Sequence, residues 1–144
     1  MAGKVEARKA ALREKLVEAA EIRIARDGAG ALRARDLAQD AGCALGAIYN
    51  AFDDLNAIIM AVNGRTFRRL GAAVRASVEH AGAEPPASRL ILMSNAYLHF
   101  AIANTNLWRA LFDLQMPAEG PVPGWYLEAL EGLFANIARP VGEL

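Results

Sequence analysis

The sequence predicts an all-α protein, and three observations carry that expectation. Alanine and leucine dominate the 144 residues while β-branched residues are sparse, which favours helices over strands. Apolar residues recur at three- and four-residue intervals, the period of a helix with one buried face. The runs are separated by DGAG, Gly42, GAEPPAS and PAEGPVPG, the glycine- and proline-rich punctuation that ends helices.

The first helix is expected over 5–27. Leu16, Ala20 and Ile24 recur every four residues, and Val17 and Ala19 widen the stripe. Gly28 can take the left-handed conformation that closes it. A short second helix is expected over 33–41, with Leu37, Ala38 and Ala41 on one face and Gly42 as terminator. The third restarts over 44–51. Asp53 or Asp54 can cap the fourth by accepting its free N–H groups. That helix runs from 55 to 80, with Ile58, Val62, Phe67, Leu70 and Val74 among its apolar positions. GAEPPAS at 82–88 reads as a linker, because two prolines cannot continue a helix, and Ser88 as the cap of a helix over 89–104. Helices over 106–116 and 125–138 follow, separated by a loop at 117–124. Strand alternation, repeats and low-complexity tracts are absent from the sequence. The expected division is a first helical domain over 1–54 and a second over 55–144.

Hydrophobic residues make up 54% of the chain and charged residues 22%, enough apolar material for a core rather than extended disorder. The single cysteine, Cys43, excludes an intramolecular disulfide and reads as a small core residue. Neither an N-terminal apolar signal nor a run of about 18 uncharged apolar residues occurs, so a cytoplasmic protein without a membrane partner is expected. The net charge of zero hides an asymmetry: residues 1–75 hold 13 Lys and Arg against 9 Asp and Glu, and residues 76–144 hold 3 against 7. A basic first half suggests that this part meets a polyanion.

The stretch DLAQDAGCALGAIYNAF, residues 36–52, concentrates the argument. A small residue at 38 lets a second helix cross closely. A glycine at 42 permits positive φ where a Cβ would clash. An aliphatic residue at 48 points back into the shared core with Leu37 and Ala51. This is the spacing of a helix-turn-helix, whose second helix enters the DNA major groove.

LRARDLAQDAGCALGAIYNAFDDLNAII resembles the DNA-binding segment of the TetR family of bacterial transcriptional regulators, and the likeness extends upstream through KLVEAAEIRIARDG, over about residues 10–60. Ala38, Gly42, Gly46, Ile48, Tyr49 and Phe52 fall where the family pattern places an alanine, two small residues, an aliphatic, an aromatic and a phenylalanine. AYLHFAIANTNLWRALFD, residues 96–113, is similar to one branch of the family's ligand-binding domains. The resemblance implies that Ala44, Leu45, Gly46 and Ala47 face base edges. Tyr49 would touch a phosphate, Asn50 a base or a phosphate, and Arg33 the backbone of the adjacent strand. Lys4, Arg8 and Lys9 could follow the minor groove or the phosphates from a mobile N-terminal arm. It also implies a homodimer on a double-stranded DNA operator, released by a small-molecule effector. The family closes its C-terminal domain with two further long helices, whereas this sequence ends at VGEL; either that domain is incomplete here or the dimer is built differently.

The family pattern is broken at two places. Ala44 and Leu45 stand where it has Ser and a basic or polar residue, and Leu55, preceded by Asp53 and Asp54, stands where it carries a Lys. A helix-turn-helix-shaped interaction module with weak or lost DNA binding is therefore the alternative. Phe67, Met93, Tyr97, Phe100, Trp108 and Phe112 are candidates to line an apolar effector pocket, with core packing the simpler role for any one of them. His80 reads as solvated and His99 as a structural histidine. The sequence offers no His, Cys or carboxylate cluster at metal spacing, no nucleophile–base pair and no phosphate-binding glycine loop, so neither an enzyme nor a cofactor is expected.

Overall fold

The computed structural model describes residues 2–114 and 122–144 of the chain. The described residues form helices α1 (Ala2–Asp27), α2 (Ala34–Ala41), α3 (Leu45–Ala51), α4 (Leu55–Val78), α5 (Pro86–Ala103), α6 (Thr105–Asp113) and α7 (Gly124–Gly142), with a 3-10 turn at Ala29–Ala31. The all-α expectation holds. The loop expected at 117–124 and the last residues of the helix expected over 106–116 lie largely outside the described residues.

The chain divides into two compact units. The first comprises α1 to α3, α4 as far as Asn63, and α6 from Asn106. Its core is built on the stripe the periodicity predicts: Leu16, Val17, Ala20 and Ile24 are all buried, and Leu37, Ala38, Ile48, Ala51 and Phe52 close over them. Ile58 and Val62 of α4 and Leu107 and Ala110 of α6 belong to the same core. This is why the unit does not end at residue 54 as expected. The start of α4 is as apolar toward this core as α1 is, and α6 comes back to it from far along the sequence. Two side-chain amides fix α6 there. Asn106 Nδ2 donates to the Ala25 carbonyl at 3.1 Å, one of the carbonyls left without a partner at the end of α1. The buried Asn63 Nδ2 donates to the Ala110 carbonyl at 3.2 Å.

The corner between α2 and α3 is a Schellman turn. Gly42 sits at φ 68, ψ 36. Its N–H reaches the Gln39 carbonyl at 3.3 Å, and the Cys43 N–H reaches the Ala38 carbonyl at 2.9 Å, the two bonds that satisfy the terminal carbonyls of a helix ended by a left-handed residue. Gly28 also has positive φ, 88, at the end of α1. Asp54 supplies the cap expected for α4, its Oδ1 accepting the Ala57 N–H at 2.8 Å.

The second unit comprises α4 from Gly64, α5 and α7. Phe67, Leu70, Val74, Met93, Phe100, Tyr126 and Leu133 are its buried apolar residues. The Phe67 and Tyr126 rings meet edge to face with centroids 5.5 Å apart. A Cβ at Gly64 would lie 2.9 Å from Trp125 Cζ3, so a larger residue there would have to displace that half-exposed ring. The start of α5 differs from the expectation: the helix begins at Pro86 after an extended Pro85, and Ser88 lies inside the first turn rather than capping it. Proline costs little in a first turn, where its missing N–H would have no helical partner. At the other end α7 runs past the expected stop at 138 and includes the buried Pro140, which forgoes a single backbone hydrogen bond. His99 is exposed rather than structural.

Two glycines of the motif should respond oppositely to alanine. At Gly42 nothing lies within 4 Å of an added Cβ, so Gly42→Ala carries only the left-handed backbone penalty and should lower stability by about 1–2 kcal/mol. Gly46 is helical and equally open, so Gly46→Ala should raise stability by up to about 1 kcal/mol. Urea denaturation of the two variants measures both signs.

Candidate nucleic-acid interface

Helix α3 divides its seven residues between two faces. Ile48 and Ala51 are buried, at 1% and 3% exposure, whereas Leu45 and Tyr49 are 42% and 53% exposed. Leu45 and Tyr49 are four apart, as are Gly46 and Asn50, so each pair shares a face. Gly46 and Asn50 are exposed as well, and Ala47 is half-buried. Ala44 is the exposed, extended N-cap residue and offers no side-chain bond to the helix N–H groups. The residues expected to face base edges thus lie together on the outer side of one short helix.

Arg33 sits apart from them, at the N-cap of α2. Its Nη1 donates to the Gly30 carbonyl at 3.0 Å and the Leu32 carbonyl at 2.9 Å. The side chain is exposed but folded back along its own turn. Lys4, Arg8 and Lys9 are exposed on α1, which is helical from Ala2, so they stand on a helix surface rather than on a mobile arm. Of the two aspartates after α3, Asp54 is occupied as the cap of α4, which gives it a structural reason to be there. Asp53 is exposed.

Two arginines that sequence reasoning passed over hold the motif. Arg13 of α1 donates through Nη1 to the Ala51 carbonyl, in the last turn of α3, and its guanidinium lies 4.2 Å from the centre of the Phe52 ring. A cation at this end opposes the partial negative charge of the helix terminus and stacks on an aromatic face. The signal lay in the i, i+3 relation between Arg13 and the buried Leu16, which puts both on one side of α1. Arg23 grips α2 with both arms of its guanidinium: Nη2 meets Asp40 Oδ1 at 2.9 Å, and Nε meets Oδ2. Asp36 is a second, looser partner at 3.8 Å.

The candidate pocket residues separate. Met93 and Tyr97 line one cavity of about 280 Å³ in the second unit, together with Val74, Leu90 and Ile137. Phe67 lines a different groove, beside Trp125. Phe100 is buried beneath the Arg69 guanidinium. Trp108 and Phe112 belong to the first unit, where their rings meet edge to face with centroids 5.0 Å apart and Phe112 is 67% exposed. Among the described residues, no group of three His, Cys, Asp or Glu could hold a metal, and no helix is long and apolar enough to cross a membrane.

No family model and no curated protein matches the chain. Solved structures do. A protein of unknown function from Rhodococcus sp. RHA1 superposes with a TM-score of 0.75 at 29% identity, over 92% of this chain and 66% of its own. A protein from Shewanella sp. PV-4, described as a candidate TetR family transcription regulator, gives 0.63 at 20% identity, over 91% of this chain and 68% of its own. Another described in the same way, from Vibrio parahaemolyticus, gives 0.56 at 26% identity, over 89% and 65%. The chain has the TetR-like fold. It spans about two thirds of the length of each of these structures. Helices α2 and α3, joined at the left-handed Gly42 corner, have the form of a helix-turn-helix.

The Arg23 hydrogen bond holds the Asp40 carboxyl below its ordinary value of 3.8, against a smaller opposing effect of desolvation. A carboxyl lowered by folding stabilises the native state fully above its unfolded value and loses that contribution as pH falls below it. Asp40→Asn should therefore destabilise the protein at pH 7, and the gap between variant and parent should be narrower at a pH well below 3.8. The side chains are 24% and 34% exposed, so solvent screening keeps the effect small. Urea denaturation of both proteins at the two pH values measures it; a gap that persists at low pH would contradict the assignment.

Proposed function

We propose that the chain is a DNA-binding transcription regulator, a repressor released from its operator by a small-molecule effector. The observation that carries this reading is the division of α3, with Ile48 and Ala51 anchored while Leu45, Gly46, Tyr49 and Asn50 face solvent. Short side chains at 44, 46 and 47 would let the helix approach base edges closely. The Tyr49 hydroxyl would meet a phosphate. Asn50 is the one amide on α3 able to pair with an adenine edge, and Leu45 and Ala47 would meet thymine methyls. Because α3 carries no charge of its own, phosphate affinity would come from Arg33 and from Lys4, Arg8 and Lys9.

Such a regulator would act in the cytoplasm as a homodimer on two half-sites about one helical turn, roughly 34–36 Å, apart. The exposed Leu98 and Ile102 of α5 and Leu127 and Phe134 of α7 support a self-association surface, since apolar side chains so placed favour burial against a partner. Release requires the effector to bind a geometry other than the DNA-bound one more tightly. No catalysis is part of the role. The absence of a cation on α3 and the exposed Asp53 favour one second reading, a helix-turn-helix-shaped module that binds protein instead.

Fluorescence anisotropy on fragments selected from genomic DNA, at several salt concentrations, tests the proposal. Binding should weaken steeply with salt. Tyr49→Ala should weaken binding to all fragments alike, by about tenfold, whereas Asn50→Ala should cost about 1–3 kcal/mol on the preferred fragment and flatten the preference. Equal losses in both variants would remove this division of labour. A parent protein with no salt-sensitive, sequence-preferring binding would favour the protein-binding module.

A further inference from the structure

Two cavities in the second unit share a wall. The first is the apolar cavity of about 280 Å³ lined by Val74, Leu90, Tyr97, Leu98 and Ile137. The second is a cleft of about 610 Å³ lined by Arg75, Arg89 and Arg139. Met93 lines both. Three pairs of consecutive residues straddle the divide: Val74 and Arg75 on α4, Leu90 and Arg89 on α5, and Ile137 and Asn136 on α7. Each helix thus turns an apolar residue to one cavity and a polar or cationic one to the other.

The cationic side has spare capacity. Among the described residues, neither Arg75 nor Arg139 has a carboxylate within ion-pair distance. Arg89 pairs through Nη2 with Glu143, yet its Nε is buried without a hydrogen-bond partner, and its side chain is only 15% exposed. Guanidiniums that lack a carboxylate partner favour an anionic ligand over a neutral one. Among the described residues, Glu79 is the one carboxylate lining the cleft with Arg75, Arg89 and Arg139, while Glu143 is engaged at Arg89.

We propose that the two cavities together take one amphipathic organic anion, its apolar body in the Val74–Leu90–Ile137 cavity and its carboxylate against Arg75, Arg89 and Arg139, with Met93 between. Taking about 30 Å³ for each water-sized group, the apolar cavity holds a body of roughly nine such groups, the size of a medium-chain or compact aromatic acid. The flexible Met93 side chain can adjust to either shape. The inference rests on the effector half of the proposed function and names the effector's chemical class.

Calorimetric titration of the full chain, without DNA, compares octanoate with 1-octanol, which has the same chain length and no charge. Octanoate should bind saturably and at least about tenfold more tightly than 1-octanol. Arg75→Gln and Arg139→Gln, both at exposed positions, should each bring octanoate toward the 1-octanol level and leave 1-octanol unchanged. Ser94→Trp or Leu98→Trp, which fill the apolar cavity from exposed positions, should weaken both probes. Circular dichroism and a cooperative melt establish that each variant folds. Equal affinities for the two probes, octanoate binding that ignores the arginine variants or the tryptophan variants, or no saturable octanoate binding would each overturn the proposal. With no DNA in the cell, failure here leaves the DNA-binding reading standing, and failure of the anisotropy experiment leaves this titration decisive.

Discussion

The helix-turn-helix depends on one backbone constraint, the left-handed conformation at Gly42. With φ at 68 and ψ at 36, the chain leaves α2 at a corner that satisfies its last carbonyls through the Gly42 and Cys43 N–H groups. An L side chain reaches this region only against a penalty. From the corner the rest follows. Ile48 and Ala51 fall onto Leu37 and Ala38 in the core, and the opposite side of α3 is left free with Tyr49 and Asn50 on it.

Charged side chains secure what the corner sets up. Arg13 ties the end of α3 to α1 through the Ala51 carbonyl and the Phe52 ring, and Arg23 ties α2 to α1 through Asp40. The small helix is thereby held at its corner, its buried face and its far end. A helix that presents side chains to a partner in a fixed geometry needs this rigidity.

The features legible in the sequence were those that depend on neighbours along the chain. The every-four stripe of Leu16, Ala20 and Ile24 announced α1 and its buried face. Gly42 announced the corner, and Asp54 the cap of α4. Features that depend on side chains meeting from distant segments were hidden. Nothing local marks Asn106 as the partner of the Ala25 carbonyl, so α6 was expected in the second domain although it completes the first core. Trp108 and Phe112 were grouped with Tyr97 because they follow it closely in sequence, and the chain places them in a different unit. Pro85 and Pro86 read as a linker because proline cannot continue a helix interior, although it fits a first turn. The arginine-lined cleft was invisible for the same reason, since Arg75, Arg89 and Arg139 come from three separate helices.

The most direct test of the account is to place D-alanine at position 42 by chemical ligation, because a D-residue favours positive φ while adding the same Cβ. This protein should be at least as stable as the glycine-containing parent, because a D-residue suited to positive φ also narrows the unfolded ensemble, and it should bind DNA as the parent does. A D-alanine protein that unfolds early, or that folds normally yet loses the DNA binding of the parent, would show that the left-handed corner is not what holds α3 in place.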